Sequence, residues 1–465
     1  MELEKNKSAS IFKNSMKKED FTFIDLFAGL GGFHLAMESL GGKCVFASEL
    51  KDDLRKLYAI NFPGCKIVGD ITKVEPKDIP SHDVLCAGFP CQPFSQAGKR
   101  QGFKDEKNRG NLFYRILDIV KVHRPKYILL ENVANLKGHD GGHTWKTIRN
   151  ELENEQYIVA EPAILSPHQF GIPQHRKRIY IVCIDKNEGN LDYFKFPSPT
   201  KKLCNIKTIV DESDTNFIKL KNETRMQLEV WQDFLNQTIA HGEKIPSFPI
   251  WAMEFGATYD YEKKAPAFQE RRDLLGKRGK FGRRVQGPTV RDCVRMLPIY
   301  AQTEKSREFP KWKISYIKQN RAFYERNKTW IDPWLYRLRF FDNSHLKLEW
   351  NCGPEAKPNI YENIVQFRAS GIRVKLPTFS PALNLVGTQI PILPWVKLPK
   401  ESIAPGDPKQ GRYMTVKEAA KLQGMQKLSF GNKDFSLSTT RIFESLGNAV
   451  NVTIIKLIAR RLLKI

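Results

Sequence analysis

Paired cysteines, histidine clusters, long apolar runs and acidic residues are all scarce in this chain, and each shortage excludes something. The cysteines are Cys44, Cys65, Cys86, Cys91, Cys183, Cys204, Cys293 and Cys352. None forms a Cys-x-x-Cys pair, and no histidine cluster completes a zinc pattern, so no metal is expected. A chain of 465 residues needs no disulfide staples, and reduced thiols in a cytosol are the simplest account. No run of about 18 apolar residues occurs, so no membrane span is expected. Residues 1–20 are polar and mixed in charge, unlike a secretory signal, and read as a mobile arm. Asp plus Glu number 51 against 75 Lys plus Arg, a formal net charge of +24. That excess points to a polyanionic partner, most often nucleic acid; the bland alternative is a merely basic, soluble protein. No internal repeat or low-complexity segment is evident.

What is present has a rhythm. From Phe21 to about Asp185, short apolar strands alternate with helical patterns. The strands are expected at Phe21–Phe27, Lys43–Ser48, Asp83–Ala87, Tyr127–Leu130 and Arg178–Cys183. Helices are expected around Phe33–Leu40, Leu54–Phe62 and Leu112–Val120. Strands alternating with helices imply an α/β fold with a mixed, mostly parallel sheet covered on both faces. Ligands in such sheets bind at the carboxyl ends of the strands. Residues 186–411 lose the rhythm and are richer in Pro, Trp, Lys and Arg, which predicts a smaller, largely β or irregular domain. Regularity returns over 412–465, where helices are expected from Lys417 to Gln423 and from about Ala449 to Leu463. Four segments follow: an arm (1–20), a catalytic and cofactor-binding domain (21–185), a separate domain (186–411) and a closing segment (412–465).

The chemistry-bearing motifs sit at strand ends. Gly88-Phe-Pro-Cys-Gln-Pro-Phe-Ser95 holds the Cys91 thiol between two prolines that restrict the backbone on both sides. Outside any disulfide or metal pattern, such a thiol is a candidate nucleophile. The bland reading, a small buried hydrophobe, suits Cys86 inside its strand better than Cys91 before a polar loop. Asp25-Leu-Phe-Ala-Gly-Leu-Gly-Gly-Phe33 is a glycine-rich strand-to-helix turn. Gly29 and Gly31 fit a dinucleotide fingerprint, but His34 stands at its last position, so a pyrophosphate ligand fits poorly. The turn suits a ligand without phosphates that lies across strand ends, and S-adenosylmethionine is one. Glu49 after the second strand can take both ribose hydroxyls, and Asp70 after the third can accept from the adenine amino group. The alternative is a structural turn with two surface acids. Glu131-Asn-Val133 can hold a pyrimidine ring at N3 and the exocyclic amine, or merely cap a neighbouring helix or pair with a surface lysine. In Gln174-His-Arg-Lys-Arg178, Arg176 and Arg178 alternate and point the same way on an extended segment. They form either a solvated basic face or a pair that grips phosphate or the carbonyl of a base.

In this order these residues resemble the DNA (cytosine-5) methyltransferase family of bacterial restriction-modification systems. Asp25–Phe33, Gly88–Ser95, Glu131–Val133 and Gln174–Arg178 each resemble a family block. Arg412–Gly424 resembles the block that follows the recognition domain, and Gly447–Val450 the final one. The resemblance covers about 21–185 and 412–465 and is weak through 186–411, where family members read their target sequence. Lys417 departs from the pattern: the family usually has arginine there, and lysine lacks the planar fork.

The resemblance implies an S-adenosylmethionine-dependent fold and a methyl transfer to C5 of cytosine that leaves S-adenosylhomocysteine. Cys91 is then the nucleophile that adds to C6, with Glu131, Arg176 and Arg178 holding the base. Such chemistry needs the base flipped out of the duplex. Phe27, Leu30, Ile71, Pro90, Leu112 and Asn448 are implied cofactor contacts beside Gly29, Gly31, Glu49 and Asp70. The loop from Gln92 to Arg109 is expected to close on DNA as a lid, with Gln92, Ser95, Lys99 and Arg100 at the DNA. The implied partners are double-stranded DNA and, as for many bacterial members, a restriction endonuclease of the same specificity. A cytosolic monomer is expected, since one chain holds the whole site.

Three rivals remain. A tRNA cytosine methyltransferase on the same fold would have a shorter recognition region. A non-catalytic DNA-binding protein would not need Cys91, Glu131 and Arg176. A nicotinamide dehydrogenase is disfavoured by His34. In the separate domain, Gly276-Lys-Arg-Gly-Lys-Phe-Gly-Arg-Arg284 and Phe367-Arg-Ala-Ser-Gly-Ile-Arg373 are the best candidates for DNA contact, through Arg283, Arg284, Arg368 and Arg373. Some of these touch only phosphates. Converting Arg283 and Arg284 to Ala is expected to weaken DNA binding and flatten its salt dependence in a titration over salt concentration; an unchanged slope counts against it.

Overall fold

The computed structural model describes residues 21–90, 112–200, 202–383 and 389–465. Cys91, Gln92, Ser95, Lys99 and Arg100 lie outside them. The chain divides into two compact units: Met1–Cys204 with Pro381–Gly387 and Lys417–Ile465, and Asn205–Ser380 with Thr388–Val416.

The first unit is built on strands β1 (Phe21–Leu26), β2 (Gly42–Ser48), β3 (Ile67–Val68), β4 (Val84–Ala87), β5 (Tyr127–Val133), β6 (Tyr157–Val159), β7 (Ala163–Leu165) and β8 (Arg178–Asp185). Their order is β3-β2-β1-β4-β5-β8-β6, with β7 also on β8. The first five pair in parallel, and β8 runs antiparallel to β5, β6 and β7. Parallel strands need covering on both faces, which explains why every residue of β4 is buried. Helices α1 (Gly32–Glu38), α2 (Asp52–Asn61), α3 (Leu112–His123) and α4 (His143–Asn154) follow their strands. Phe113, Ile116, Leu117 and Val120 of α3 pack with Ile24, Leu85, Ile128 and Ile179 of the sheet in one core.

Two details differ from the sequence reading. β5 runs on through Glu131 and Asn132 to Val133, because β8 pairs with it along that whole length, from Tyr127↔Ile184 to Val133↔Arg178. The closing helix begins at Val452, where the cap is supplied by Asn451, whose side chain accepts from the Ile454 N–H. Ala449 ahead of it is extended, with φ −65° and ψ 149°.

In the second unit, α5 (Asn222–Ala240), β9 (Ile250–Trp251), α6 (Arg271–Leu274), α7 (Val290–Arg295), α8 (Lys311–Leu335), β10 (Lys347–Asn351), β11 (Ile364–Arg368), β12 (Gly371–Lys375), β13 (Ile392–Lys397) and β14 (Gln410–Tyr413) follow in turn. The sheet order is β14-β13-β11-β12-β10-β9. The β half of the expectation is there, but α5 has 19 residues and α8 has 25. α8 is dense in aromatic and basic residues, which blurs the apolar period a helix normally shows. Their seam is aromatic: Trp231 and Phe234 of α5 meet Trp334 of α8 at ring-centroid distances of 5.2 and 4.8 Å. The Trp231 indole N–H donates to the His345 carbonyl at 3.0 Å.

The chain ends on α9 (Val416–Gln423), α10 (Thr439–Asn448) and α11 (Val452–Leu462). The stretch Thr439–Leu462 is apolar enough to cross a membrane by composition. It is broken between α10 and α11, and Ile454, Ile455 and Ile458 are buried in the protein core. Trp231→Ala is expected to lower the stability of the second unit by about 3–5 kcal/mol, read from the denaturant midpoint of tryptophan-independent far-UV circular dichroism.

Candidate active site

The turn after β1 uses three residues with positive φ: Phe27 at 58°, Gly29 at 54° and Gly31 at 78°. Two of these positions demand glycine for different reasons. A Cβ on Gly31 would lie 2.5 Å from the Phe62 ring. A Cβ on Gly29 would meet nothing within 4 Å, so the backbone there borders open space. The Gly29 N–H donates to Glu49 Oε2 at 2.9 Å, and Lys51 N–H donates to Oε1 at 2.9 Å. Two backbone donors thus orient the Glu49 carboxylate at the end of β2. Leu50 beside it is 69 % exposed. Asp70 caps a short helical turn, accepting from Thr72 N–H at 3.0 Å, and Ile71 is buried behind it. Leu30 is buried, Pro90 exposed and Leu112 half-buried at the start of α3. Asn448 is exposed at the end of α10.

The end of β4 runs against the end of β5. A Cβ on Gly88 would lie 3.9 Å from Glu131 Oε2 and 3.4 Å from Val450 Cγ1. Asn132 Nδ2 donates to the Phe89 carbonyl at 2.8 Å, which fixes the turn two residues before Cys91. Glu131 itself is 6 % exposed. Antiparallel pairing opposes it to Tyr180, so Arg178 is its diagonal neighbour on the same face. Arg178 Nε lies 3.1 Å from Glu131 Oε1. Burial nevertheless holds the Glu131 carboxyl above its usual range, against the opposing pull of Arg178 and Arg176.

Arg176 takes a different position from its alternate partner. It is 2 % exposed. Its Nη1 and Nη2 donate to the carbonyls of Gly447 and Ala449 at 2.7 and 2.8 Å. Burial lowers its guanidinium to about 10, so it stays charged at neutral pH. The fork holds the segment that carries Val450, and Val450 also fills the close approach at Gly32, where a Cβ would be 2.5 Å from its Cγ2.

A family model described as C-5 cytosine-specific DNA methylase matches residues 21–464. The chain belongs to that family. It is 51 % identical to the Type II methyltransferase M.HpaII of Haemophilus parainfluenzae over 202 residues, which is 43 % of this chain and only 55 % of that relative. It is 38 % identical to M.DsaV of Dactylococcopsis salina over 60 % of this chain and 77 % of that relative. It is 30 % identical to M.AluI of Cellulosimicrobium cellulans over 95 % of this chain and 91 % of that relative.

In this family member the candidate DNA contacts fall into two kinds. Arg283 and Arg284 are exposed on a turned loop, in which Gly279 N–H donates to the Arg283 carbonyl at 2.8 Å. Arg368 and Arg373, by contrast, both bind Glu349 of β10, Arg368 through Nη2 at 2.5 Å and Arg373 through Nε at 2.9 Å. The sequence reading offered both as candidates for DNA contact; in the fold Arg373 of β12 bonds to Glu349 of the adjacent β10, and Arg368 of β11 reaches the same carboxylate across β12. That reading also missed four things. Leu50 is marked by being apolar directly after Glu49. Asn132 is marked by the motif it shares with Glu131. Asp25 is fully buried, accepts the His34 N–H at 3.2 Å and has its carboxyl pushed up by burial. His34, Cys44 and Cys65 come together with ligating atoms within 4.8 Å of one another, a grouping with no spacing signature.

Arg176→Lys cannot reproduce the two-pronged bond. About 1–3 kcal/mol is expected to be lost for each carbonyl left unpaired, with faster amide exchange at 447–451. Exchange mass spectrometry reads this, and unchanged protection there would count against the assigned role.

Proposed function

We propose that this protein transfers a methyl group from S-adenosylmethionine to C5 of a cytosine within a short sequence of double-stranded DNA. The observation that carries the reading is the meeting of Gly88 and Glu131, with Asn132 bonded to Phe89. It brings the turn leading to Cys91 beside a buried carboxyl that burial holds above its usual range.

The residues at the glycine turn fit the cofactor. Open space at Gly29 admits a ligand against the backbone. The Glu49 carboxylate, oriented by two N–H groups, keeps lone pairs for ribose hydroxyls. The exposed Leu50 side chain offers an apolar face for adenine, and Asp70 an acceptor for its amino group. When bound, the cofactor supplies an electrophilic methyl group. Phe27, Leu30, Gly31, Ile71, Pro90, Leu112 and Asn448 complete the proposed contacts.

At the base, the Cys91 thiolate forms a bond to C6. The electron pair of the C5–C6 double bond moves toward C5, and charge builds on the ring at N3 and O2. Glu131, its carboxyl pushed up by burial, donates to N3 in its protonated form and limits that charge. Arg178 orients Glu131 and can extend to the carbonyl of the base; Arg176 is a positioning residue through the 447–450 segment. After C5 accepts the methyl group it loses its proton, and the pair left behind reforms the double bond and expels Cys91. The target base is flipped out for this, at a cost of a few kcal/mol.

The second unit reads the target. The exposed loop with Arg283 and Arg284 touches phosphates; the lid expected from Gln92 to Arg109 lies outside the described residues. The protein works in the bacterial cytosol as a monomer. As its relatives are named Type II methyltransferases, a restriction endonuclease of the same specificity is the proposed companion.

Bisulfite sequencing of DNA from a methylation-deficient host tests this. The wild type is expected to protect cytosines in one short motif. Cys91→Ala is expected to protect none, and Glu131→Gln to be slower by about 10²–10⁴ in single-turnover assays. Folded wild-type protein that protects no cytosine in DNA but methylates tRNA would instead assign it to RNA.

A further inference from the structure

The aromatic cluster beneath the glycine turn also contains two thiols. Cys44 lies on β2 and Cys65 just before β3, and their Sγ atoms are 3.2 Å apart. Both are free thiols, Cys44 buried and Cys65 half-exposed. The Tyr58 hydroxyl touches the pair and the turn at once: it lies 3.9 Å from Cys44 Sγ and 2.6 Å from His34 Nδ1. His34 stacks on Phe62 at 3.8 Å between ring centroids. Phe62 and Tyr58 are in turn the rings that crowd Gly31, at 2.5 and 3.1 Å from where a Cβ would stand. No slack separates the thiol pair from the turn.

We propose that Cys44 and Cys65 form a reversible disulfide, a redox-sensitive site that weakens ligand binding at the glycine turn. The oxidant is a low-molecular-weight disulfide such as oxidised glutathione. Cys65 is the attacking group. It is the more accessible of the two, and the adjoining Cys44 side chain, with His34 nearby, favours its thiolate. Its sulfur attacks the small disulfide, which releases one small thiolate and leaves a mixed disulfide on Cys65. Cys44 then gives up its proton and attacks the Cys65 sulfur, expelling the second small thiol. Two electrons and two protons pass to the oxidant, leaving two small thiols and one protein disulfide.

Bond formation draws the sulfurs from 3.2 Å to about 2.05 Å. The move takes Cys44 off Tyr58 and shifts the Cys65 end of the Phe62–Cys65 turn, where the Cys65 N–H donates to the Phe62 carbonyl at 3.1 Å. The rings that prop Gly31 shift with it.

The test equilibrates the full chain in buffers of rising oxidised-to-reduced glutathione ratio, blocks free thiols and maps peptides. A Cys44–Cys65 linkage is expected, reversed by dithiothreitol and absent in Cys65→Ser and Cys44→Ala, each checked for native circular dichroism. The second arm titrates S-adenosylhomocysteine, which is expected to bind about fivefold or more weakly to oxidised wild type and unchanged to oxidised Cys65→Ser. That arm rests on the proposed cofactor; the peptide map does not, so the two readings fail separately. If no ligand binds the reduced protein either, the cofactor reading fails while the linkage stands on its map. The redox proposal is overturned if Cys65 stops at a mixed disulfide or pairs elsewhere. It is also overturned if purified protein carries zinc that Cys65→Ser loses and that shields the thiols, or if ligand binds equally to reduced and disulfide-linked protein.

Discussion

The arrangement at the head of the first sheet depends on one buried guanidinium. Arg176 reaches across from the segment before β8 and ties down the carbonyls of Gly447 and Ala449. This fixes Val450 in the place where two glycines, Gly32 and Gly88, leave room for it. One side of that wedge is the start of α1, and hence the glycine turn. The other is the turn that leads to Cys91. A planar fork suits the task because it satisfies two carbonyls at a set separation, which an ammonium on a flexible stem does not. Residues some 270 positions apart in sequence are thus set in register by two charge-assisted bonds.

The same region accepts an electrostatic cost. Glu131 is buried between Arg178 and Arg176, and desolvation still outweighs their attraction, so its carboxyl titrates higher in the folded protein. Asp25 is shifted the same way by the same cause. A carboxyl with a raised folded-state value favours folding fully only below its unfolded value, and that contribution is lost as pH rises through the folded one. Near neutrality both groups therefore oppose folding. For Glu131 the cost fits the proposed role, since an upward shift favours the protonated form that can donate to a ring nitrogen. For Asp25 the gain is local: its Oδ2 anchors the His34 N–H and so the first turn of α1.

Legibility in the sequence followed the range of the interactions involved. Glycines with positive φ, strands followed at once by helices, and carboxylates at strand ends are local signals, and the parallel half of the sheet, Glu49 and the glycine turn could all be read from them. Interactions set by long-range pairing could not. β5 extends through Asn132 only because β8 lies beside it. The alternation of Arg176 and Arg178 put them on one face, but nothing local said that one would meet Glu131 and the other two distant carbonyls. Cys44 and Cys65 have no motif spacing; parallel pairing of β2 with β3 brings them together. In the second unit, the buried face of α8 joins Ile317, Phe323, Tyr324, Trp330, Ile331 and Trp334 with polar Asn320 and Asn327, and the asparagines at core positions interrupt the apolar period.

A net charge of +24 overstates what the protein can offer a polyanion, because part of the basic complement is spent inside. In the second unit Arg321 binds the fully buried Glu254 at 2.9 Å and stacks over the Tyr259 and Tyr261 rings. Arg368 and Arg373 share Glu349. Arg412 is fully buried and donates to the Tyr413 and Asp211 carbonyls. Turned outward, Arg321 would leave the fully buried Glu254 carboxylate uncompensated, a cost of several kcal/mol that a phosphate contact at the surface does not offset. The lysines and arginines of the Gly276–Arg284 loop differ in kind. Lys277 and Lys280 are bonded at 3.0 Å to Asp260 and 2.8 Å to Asn343, which braces the loop, while Arg283 and Arg284 stay exposed at its end. A braced loop presenting two exposed guanidinium groups loses little entropy on meeting a phosphate backbone. Where the charge sits, more than how much there is, therefore sets this exposed loop apart from the buried arginines of the second unit.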